Sequence, residues 1–350
     1  MTTNDLASIA KAMVAPGRGI LAADESTGTI EKRFKGISVE STEENRRAYR
    51  DMLCSTRGLG EFISGVILYD ETLRQKSADG TPFAALLAKN GILPGIKVDA
   101  GTKDMAFCPG EKITEGLDGL AKRCAEYVQL GAKFAKWRAV ITIGNAGLDS
   151  ARAVPSGACI TANAHALARY AAICQAARLV PIVEPEVLMD GDHGIERCEE
   201  VTECTLREAF AALASHRVVL ERMVLKPSMV ISGKDCAKQA GVQEVAVRTL
   251  QTLKRTVPAA VPGIAFLSGG QSDELATGHL DAINRLGGAP WALTFSYGRA
   301  LQQPALKAWK GSAANVAIAQ RALHHRARMN AMASVGQYRA ELEKDLGKAA

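Results

Sequence analysis

The 350-residue sequence lacks any apolar run that approaches the ~18–20 consecutive residues needed to cross a bilayer. Its first residues, MTTNDLASIAKAM, also lack the basic flank and apolar centre of a secretory signal peptide. The eight cysteines form no CxxC pair, and such dispersed cysteines are typical of reduced thiols in the cytosol. We therefore predict a soluble, cytoplasmic protein without a membrane partner.

Signatures of three ligand classes are missing as well. The six histidines show neither HxxH nor HExxH spacing, so we expect no metal and no other cofactor. No GxGxxG motif follows the first predicted strand, which disfavours a dinucleotide-binding fold. Aromatic residues make up only 5% of the chain, and the basic residues behind its net charge of +6 are scattered. A nucleic-acid partner is therefore not expected.

What the sequence does have is a series of β-rich apolar runs separated by amphipathic helical stretches. The runs predict eight strands, at 17–24, 62–70, 91–99, 134–142, 179–187, 223–231, 263–270 and 291–297. STEENRRAYRDML predicts a helix opened by a capping box of Ser41 and Glu44, and GLDGLAKRCAEYVQLG predicts one that stops at Gly131. Eight strand–helix alternations favour an α/β fold, a single (β/α)8 TIM barrel, over an open doubly wound sheet. We assign residues 1–311 to the barrel and 312–350 to a helical C-terminal extension that is not a separate domain.

Ionisable residues occupy strand ends where a barrel would normally carry Val, Ile or Leu. They are Asp24, Lys97, Asp99, Lys136, Arg138, Glu184, Glu186 and Lys226. Residues two apart on a strand share a face, so each pair within one strand points the same way. Satisfied ion pairs inside the barrel are an alternative for any one pair. Because buried pairs stabilise poorly, the whole set favours a catalytic site at the carboxyl end of the barrel.

The lysine in VLKPSMV carries the most chemical information. Lys226 lies inside an apolar run, where an ammonium is costly unless it is paired or loses its proton. Neighbouring cations such as Lys136 would favour the neutral amine, which is a nucleophile toward carbonyl groups. The sequence therefore predicts a Schiff-base centre at Lys226, with Glu184 or Glu186 as a proton shuttle.

An anion site is predicted after the last two strands. Ser268, Gly269 and Gly270 follow the seventh strand, and Ser296, Gly298 and Arg299 end or follow the eighth. Backbone N–H groups at glycines, together with a helix N-terminus, form the phosphate sites that barrels carry in this position.

These segments resemble a known family when they are taken together. ILAADESTGTIEKRF, TEENRRAYR, GVILYDETL, GIKVD, FAKWR, PIVEPEVLMDGDH, LKPSMV, FLSGGQS and PWALTFSYGRALQ resemble class I fructose-bisphosphate aldolase, in order, from about residue 5 to 311. The resemblance implies a metal-free Schiff-base enzyme of glycolysis and gluconeogenesis, and usually a homotetramer. Its reaction is the reversible cleavage of fructose 1,6-bisphosphate to dihydroxyacetone phosphate and glyceraldehyde 3-phosphate.

The resemblance also implies catalytic roles. Lys226 would form the imine with the substrate ketone, and Glu184, with Glu186 beside it, would handle protons as the imine forms. Lys136 would balance charge. Asp24 would hold the C4 hydroxyl and help to deprotonate it when the C3–C4 bond breaks.

Binding roles follow from the same resemblance. Lys97 would lie near the sugar hydroxyls, and Arg138 would line the site. One phosphate would be held by Ser268, Gly269, Gly270, Ser296, Gly298 and Arg299. Ser26 and Arg33 would lie toward the other phosphate, with Arg46 as a weaker candidate.

Three positions depart from the family pattern. Thr29 and Ala100 stand where many members have serine and lysine. The printed sequence ends DLGKAA, where many animal members carry a tyrosine that folds back into the site, and Tyr338 is too early to be its equivalent. The proton donor to the enamine is therefore left open.

Other functions remain as alternatives at this point. A zinc-dependent aldolase would need clustered histidines, and DGDHG at 190–194 is interpreted as a polar turn rather than as a metal site. Another lysine-imine barrel, such as a transaldolase, would not be expected to carry both VEPE and FSYGR. A non-catalytic phosphosugar-binding scaffold would be free to lose Lys226, Glu184 and Asp24, which are all present.

Overall fold

Eight parallel strands close into a barrel in the structure, a computed structural model that describes residues 6–144 and 154–347. The barrel strands are β1 (Gly19–Ala23), β2 (Ile63–Leu68), β3 (Leu93–Lys97), β6 (Phe134–Ile141), β7 (Val180–Val187), β8 (Val224–Leu225), β9 (Gly263–Phe266) and β10 (Ala292–Tyr297). Each strand pairs with its neighbour along the chain, and β10 pairs with β1 to close the barrel. The predicted α/β barrel is confirmed, and every predicted strand segment contains one of its strands.

Two features of the strands differ from the prediction. The segment predicted as a strand over 223–231 forms only the two residues of β8, because Pro227 has no N–H to donate to a strand ladder. Between β3 and β6 lies a hairpin that the sequence did not predict, made of β4 (Thr102–Asp104) and β5 (Lys112–Thr114).

Helices surround the barrel. They are α1 (Leu6–Met13), α2 (Thr27–Lys35), α3 (Glu43–Cys54), α4 (Asp70–Arg74), α5 (Phe83–Lys89), α6 (Leu120–Gln129), α7 (Gly157–Ala176), α8 (Ile195–Ser215), α9 (Val242–Thr256), α10 (Asp273–Leu286), α11 (Arg299–Trp309) and α12 (Val316–Ala333). Short 3₁₀ helices lie at Leu59–Glu61, Leu220–Arg222, Ala313–Asn315 and Ala340–Gly347. Among the residues that the structure describes, no helix is both long and apolar enough to span a bilayer.

The start of α3 corrects the predicted capping box. The N-cap is Thr42, one residue after the predicted Ser41, and its hydroxyl accepts a hydrogen bond from the Asn45 backbone N–H at 3.1 Å. The carbonyl of Ser41 instead accepts a hydrogen bond from Arg46. The predicted end of α6 agrees with the structure, since Gly131 adopts a positive φ of 100° just after the helix.

The amino-terminal half of the barrel interior is apolar. The Phe134 ring fills it so closely that a Cβ on Gly95 would lie 2.2 Å from the ring, so glycine is required there. Leu6, Ala10 and Met13 of α1 belong to the same buried cluster and cover this end of the barrel. Apolar packing thus closes one end, and the charged strand ends lie toward the other.

The helix after the barrel is packed, not free. Ala319, Leu323 and Ala327 of α12 are fully buried in the main core, and α12 packs against α3, α10 and α11. We found no counterpart of the animal terminal tyrosine in DLGKAA. Residues 348–350 of this segment lie outside the described residues.

Candidate active site

A cavity of about 440 Å³ opens at the carboxyl ends of the barrel strands. The predicted site residues that line it are Asp24, Ser26, Arg33, Lys97, Lys136, Arg138, Glu184, Glu186, Lys226, Ser268, Gly269, Gly270, Ser296, Gly298 and Arg299. Thr29 and Ala100, the two departures from the family pattern, line it as well. Residues from all over the sequence therefore meet in one place, because parallel strands bring their carboxyl ends together.

Arg46 is the predicted site residue that does not line the cavity. Its guanidinium binds the Glu71 carboxylate with two hydrogen bonds of 2.7 and 2.6 Å and donates a third, of 2.6 Å, to the Ser41 carbonyl. Its donors are thus used in linking α3 to α4. The structure therefore does not bring Arg46 together with the other predicted site residues.

Two lysines and two carboxylates form the centre of the cavity. Lys136 Nζ lies 2.7 Å from Asp24 Oδ2 and 3.4 Å from Glu184 Oε2, and Lys226 Nζ lies 3.1 Å from Glu184 Oε1. The two lysines and Glu184 are buried, and the Asp24 side chain is 12% exposed. Lys226 is therefore not surrounded by cations alone, as the sequence reasoning assumed, because a carboxylate contacts its amine directly.

Charge pairing outweighs burial for the first ion pair of this centre. Burial alone would raise the pKa of Asp24, but Lys136 and Lys226 hold it well below its usual range. Burial alone would lower the pKa of Lys136, yet Asp24 and Glu184 raise it above its usual value. Asp24 is thus a carboxylate and Lys136 an ammonium throughout the neutral range.

Glu186 has the opposite tendency. Burial raises the pKa of its carboxyl group, the negative charge of Glu184 adds to this effect, and the ion pair with Arg138 only partly offsets it. A buried carboxyl group with a raised pKa in the cavity is suited to hold a proton, as expected of a proton-transfer site.

A second lysine–aspartate pair lies near the end of β3. Lys97 Nζ lies 2.5 Å from Asp99 Oδ1 and donates a 2.8 Å hydrogen bond to the Asp99 carbonyl. Asp99 also accepts a hydrogen bond from the Gly101 N–H at 3.1 Å, which fixes the turn into the hairpin. Lys97 is partly exposed and available to a ligand in the cavity.

The loops after β9 and β10 form a polar pocket at one side of the cavity. Gly269 and Gly270 adopt positive φ values of 56° and 89°, and a Cβ on Gly270 would lie 3.1 Å from Arg299 Nη2. Glycine thus permits both the turn and the close approach of the arginine. Ser296 Oγ is buried without a hydrogen-bond partner in the described part of the chain. A buried hydroxyl in this state indicates a ligand position.

The opposite side of the cavity is formed after β1. Ser26 is the N-cap of α2, and its Oγ lies 3.1 Å from Thr29 Oγ1. Arg33 reaches the cavity from the last turn of the same helix and forms an ion pair with Glu25. Two polar ends therefore flank the lysine centre, as expected for a ligand with two anionic groups.

Sequence reasoning missed several residues that line the cavity. Glu25, Tyr69 and Thr102 are among them. Tyr69 directly follows β2, so its place at the carboxyl end of a strand was a usable signal. Glu25 follows Asp24, and strand alternation would have assigned it to the other face.

Residues 190–194 form the turn after β7 that the sequence predicted. Asp190 Oδ1 lies 2.5 Å from Lys234 Nζ, so this carboxylate has a lysine partner. Within residues 6–144 and 154–347, no group of three or more His, Cys, Asp or Glu side chains is arranged to hold a metal ion.

Fold and cavity together are those of a (β/α)8 barrel enzyme with its site at the carboxyl end of the strands. The sequence matches the family of glycolytic class I fructose-bisphosphate aldolases over residues 5–350. A probable fructose-bisphosphate aldolase class 1 of Xanthomonas campestris is 59% identical over 340 residues, which are 97% of this chain and 100% of the relative. Fructose-bisphosphate aldolase 1 of Toxoplasma gondii is 56% identical over 334 residues, which are 95% of this chain and 91% of the relative.

A solved structure agrees with these relatives. Fructose-bisphosphate aldolase from Plasmodium falciparum, in complex with TRAP and a small-molecule inhibitor, has a TM-score of 0.93 and 52% identity, and the match covers 96% of this chain and 95% of that one. This chain belongs to the class I fructose-bisphosphate aldolase family. The predictions of an enzyme, a lyase and the aldolase function are confirmed, and the three alternatives gain no support from these relatives.

Proposed function

We propose that Lys226 forms the imine through which this chain reversibly cleaves fructose 1,6-bisphosphate to dihydroxyacetone phosphate and glyceraldehyde 3-phosphate. The observation that carries the proposal is the 3.1 Å contact between Lys226 Nζ and Glu184 Oε1 in a buried part of the cavity. A carboxylate at this distance can take the proton that the ammonium must lose before the amine attacks C2.

Imine formation then requires that a proton be donated to the substrate. Attack on the ketone gives a carbinolamine, and its hydroxyl leaves as water only when it receives a proton. Glu184 is within reach to donate that proton back. Glu186 lies two residues along the same strand, and its raised pKa suits it to hold a proton. It is the second candidate for this proton transfer.

Cleavage follows from the positive charge of the protonated imine. The C4 hydroxyl loses its proton, the C3–C4 bond breaks, and the bonding electrons move toward the iminium nitrogen to give an enamine. Asp24 is ionised, accepts the hydrogen bond of the C4 hydroxyl and takes up its proton as the aldehyde forms at C4. Lys136 balances the charges of Asp24 and Glu184 throughout.

Barrel topology supports one arrangement of the two phosphates, which we include in the proposal. Lys226 follows β8, and Ser268, Gly269 and Gly270 follow the adjacent β9, so the phosphate on C1, next to the ketone, belongs in this pocket with Ser296, Gly298 and Arg299. The C6 phosphate then lies toward Ser26 and Arg33. Lys97 and Arg138 remain for the hydroxyl groups between them.

The test is a cleavage assay with fructose 1,6-bisphosphate that measures the triose phosphates released. Lys226→Met should abolish cleavage because no amine remains to form the imine. Lys238→Met, which removes an exposed lysine of the following loop, is the matched control. Full activity of Lys226→Met would refute the proposal, and so would activity that is lost to EDTA and restored by zinc.

The remaining features of the assembly rest on the family. We propose a cytoplasmic homotetramer, and a relative in Arabidopsis thaliana, 53% identical over 342 residues, is named as cytosolic. Residues 1–311 form the catalytic domain, with 312–350 as its helical extension. No nucleic-acid or membrane partner is expected. Light scattering of the purified protein tests the tetramer, and a monomeric mass would contradict it.

A further inference from the structure

A buried polar network lies beneath the C6 side of the cavity, and the reaction steps above make no use of it. Its centre is Glu25, whose side chain is 4% exposed. The carboxylate forms ion pairs with two guanidinium groups, those of Arg33 and Arg50, the latter at 2.6 Å. It also accepts a 2.8 Å hydrogen bond from Gln302 Nε2.

The two arginines differ in what they can reach. Arg33 lines the cavity and is 20% exposed, whereas the Arg50 side chain is 3% exposed and does not line it. The ion pair of Arg50 is thus with Glu25, below the cavity lining, and its guanidinium also lies over the Tyr49 ring. With one carboxylate between two arginines, the network keeps a net charge of +1, and Arg33 is the member that presents this charge to a ligand.

Gln302 connects this network to the other side of the cavity. It lies on α11, three residues after Arg299, and its Nε2 also donates a 2.6 Å hydrogen bond to the Ala22 carbonyl of β1. Its Oε1 accepts a 3.1 Å hydrogen bond from the buried hydroxyl of Tyr49. One fully buried side chain thus joins the strand that precedes Asp24 to the helix that begins with Arg299.

We infer that Arg50 and Gln302 are positioning residues that fix the spacing between the two phosphate sites, and thereby make the enzyme selective for a bisphosphate. This inference rests on the proposed function. Arg50 neutralises Glu25, so that the charge of Arg33 remains available for the C6 phosphate. Gln302 keeps Arg33 and Arg299, which would bind opposite ends of the substrate, in a fixed relation.

Loss of Arg50 would change the net charge around the buried Glu25 carboxylate. Without Arg50, the network has no net charge, and the carboxylate keeps Arg33 as its cation beside the neutral amide of Gln302. A phosphate at C6 would then have to compete with Glu25 for Arg33. Fructose 1-phosphate has no phosphate at that end, so it should be insensitive to the change.

The experiment compares KM and kcat for fructose 1,6-bisphosphate and fructose 1-phosphate in Arg50→Met. KM for the bisphosphate should rise at least ten-fold, which is the effect of losing one charge-assisted contact. Both KM and kcat for fructose 1-phosphate should stay within about two-fold. Arg50→Lys, which restores the charge without the forked geometry, should recover part of the loss. Arg57→Met, which removes an exposed arginine after α3, is the control.

Two results would overturn the inference. One is an unchanged KM for both substrates, and the other is equal impairment of both, which would indicate a general structural role. If Arg50→Met does not fold, the double variant Glu25→Gln/Arg50→Met, which leaves Arg33 without a competing carboxylate, should keep KM for the bisphosphate within about two-fold, and a ten-fold rise in that variant would overturn the inference.

Binding of hexitol 1,6-bisphosphate, which has no ketone, separates the inference from the proposed chemistry. Calorimetry should give a Kd at least ten-fold higher in Arg50→Met than in the unsubstituted protein, whether or not cleavage proceeds through Lys226. An unchanged Kd would overturn the inference and leave the imine mechanism intact. Full cleavage activity of Lys226→Met, together with the expected ten-fold difference in Kd for Arg50→Met, would contradict the mechanism alone.

Discussion

Replacing Lys136 by methionine is the most informative change at the charged centre. Methionine keeps the length of the side chain but leaves Asp24 and Glu184 without the ammonium that lies 2.7 and 3.4 Å from them. At an effective dielectric constant of about 20, each contact is worth roughly 5–6 kcal/mol of attraction before desolvation is counted. Removing one partner of a buried pair typically costs about 3–5 kcal/mol, because the other charge stays buried.

The cations that remain in the variant limit the expected loss in the free energy of unfolding. Lys226 and Lys97 still attract Asp24 in the variant, so we expect the lower end, about 3 kcal/mol, in the free energy of unfolding. We expect kcat to fall by roughly 10²–10⁴, since Asp24 and Glu184 lose both their placement and their charge balance. Urea denaturation and a steady-state cleavage assay measure the two effects.

The pH dependence of the stability loss provides a further check. In the unsubstituted protein, the depressed pKa of Asp24 gives stability that is complete above pH 3.8 and is lost only as the pH falls below that value. In Lys136→Met, Asp24 loses its nearest ammonium and takes up a proton more readily, so the stability deficit should shrink as the pH falls toward and below 3.8. Lys122→Met, at an exposed position of α6, should change stability by less than about 0.5 kcal/mol. A Lys136→Met protein with unchanged stability and kcat would refute this account of the centre.

Two other changes test separate parts of the site, and a third tests a buried histidine of α10, His279. Glu184→Gln should lower kcat by roughly 10²–10⁴, and a kcat near that of the unsubstituted protein would move the proton-transfer role to Glu186 or Asp24. Arg299→Ala should raise KM for the bisphosphate ten-fold or more, from a contact worth about 1.5–3 kcal/mol, and an unchanged KM would place the phosphate elsewhere. Burial lowers the pKa of His279 to about 4 from 6.5, so its contribution to stability is complete above pH 6.5 and is lost as the pH falls to about 4. His279→Gln should remove up to roughly 3 kcal/mol of that pH dependence in denaturation curves, and an unaltered curve would contradict the assignment.

The barrel could be predicted because its strands are buried on both faces. Such strands appear as continuous apolar runs, and the charged residues that interrupt them mark the carboxyl ends. The hairpin of β4 and β5 left no comparable signal, since Thr102–Asp104 is exposed along its whole length. The shift of the helix cap from Ser41 to Thr42 is a local competition between adjacent hydroxyl groups, which sequence pattern does not decide.

The site, like the fold, has a part that the sequence predicts and a part that it does not. Residues on strand ends were predictable because the fold brings strand ends together, and the resemblance supplied their roles. Arg46 was misplaced because its partner Glu71 lies 25 residues away, on another helix. The link between Glu25 and Gln302 spans 277 residues, and no periodicity within either segment indicates that the two side chains meet.

The charged groups that contact the Lys226 amine were the least predictable part of the site from the sequence alone. The sequence showed other cations on neighbouring strands, from which a neutral amine was expected at Lys226, with Glu184 or Glu186 as a proton shuttle. Packing instead inserts Glu184 between the two lysines, within 3.1 Å of one and 3.4 Å of the other. The amine therefore has a base in direct contact before any substrate arrives.

Trapping the covalent intermediate tests the central claim most directly. The protein is incubated with fructose 1,6-bisphosphate in the presence of EDTA, reduced with borohydride, and mapped by mass spectrometry. We predict irreversible inactivation, with the mass of one reduced triose phosphate or hexose bisphosphate adduct at Lys226 and none in samples without substrate. Inactivation with the adduct on Lys136 or another lysine, or activity that survives reduction with substrate present, would contradict the account.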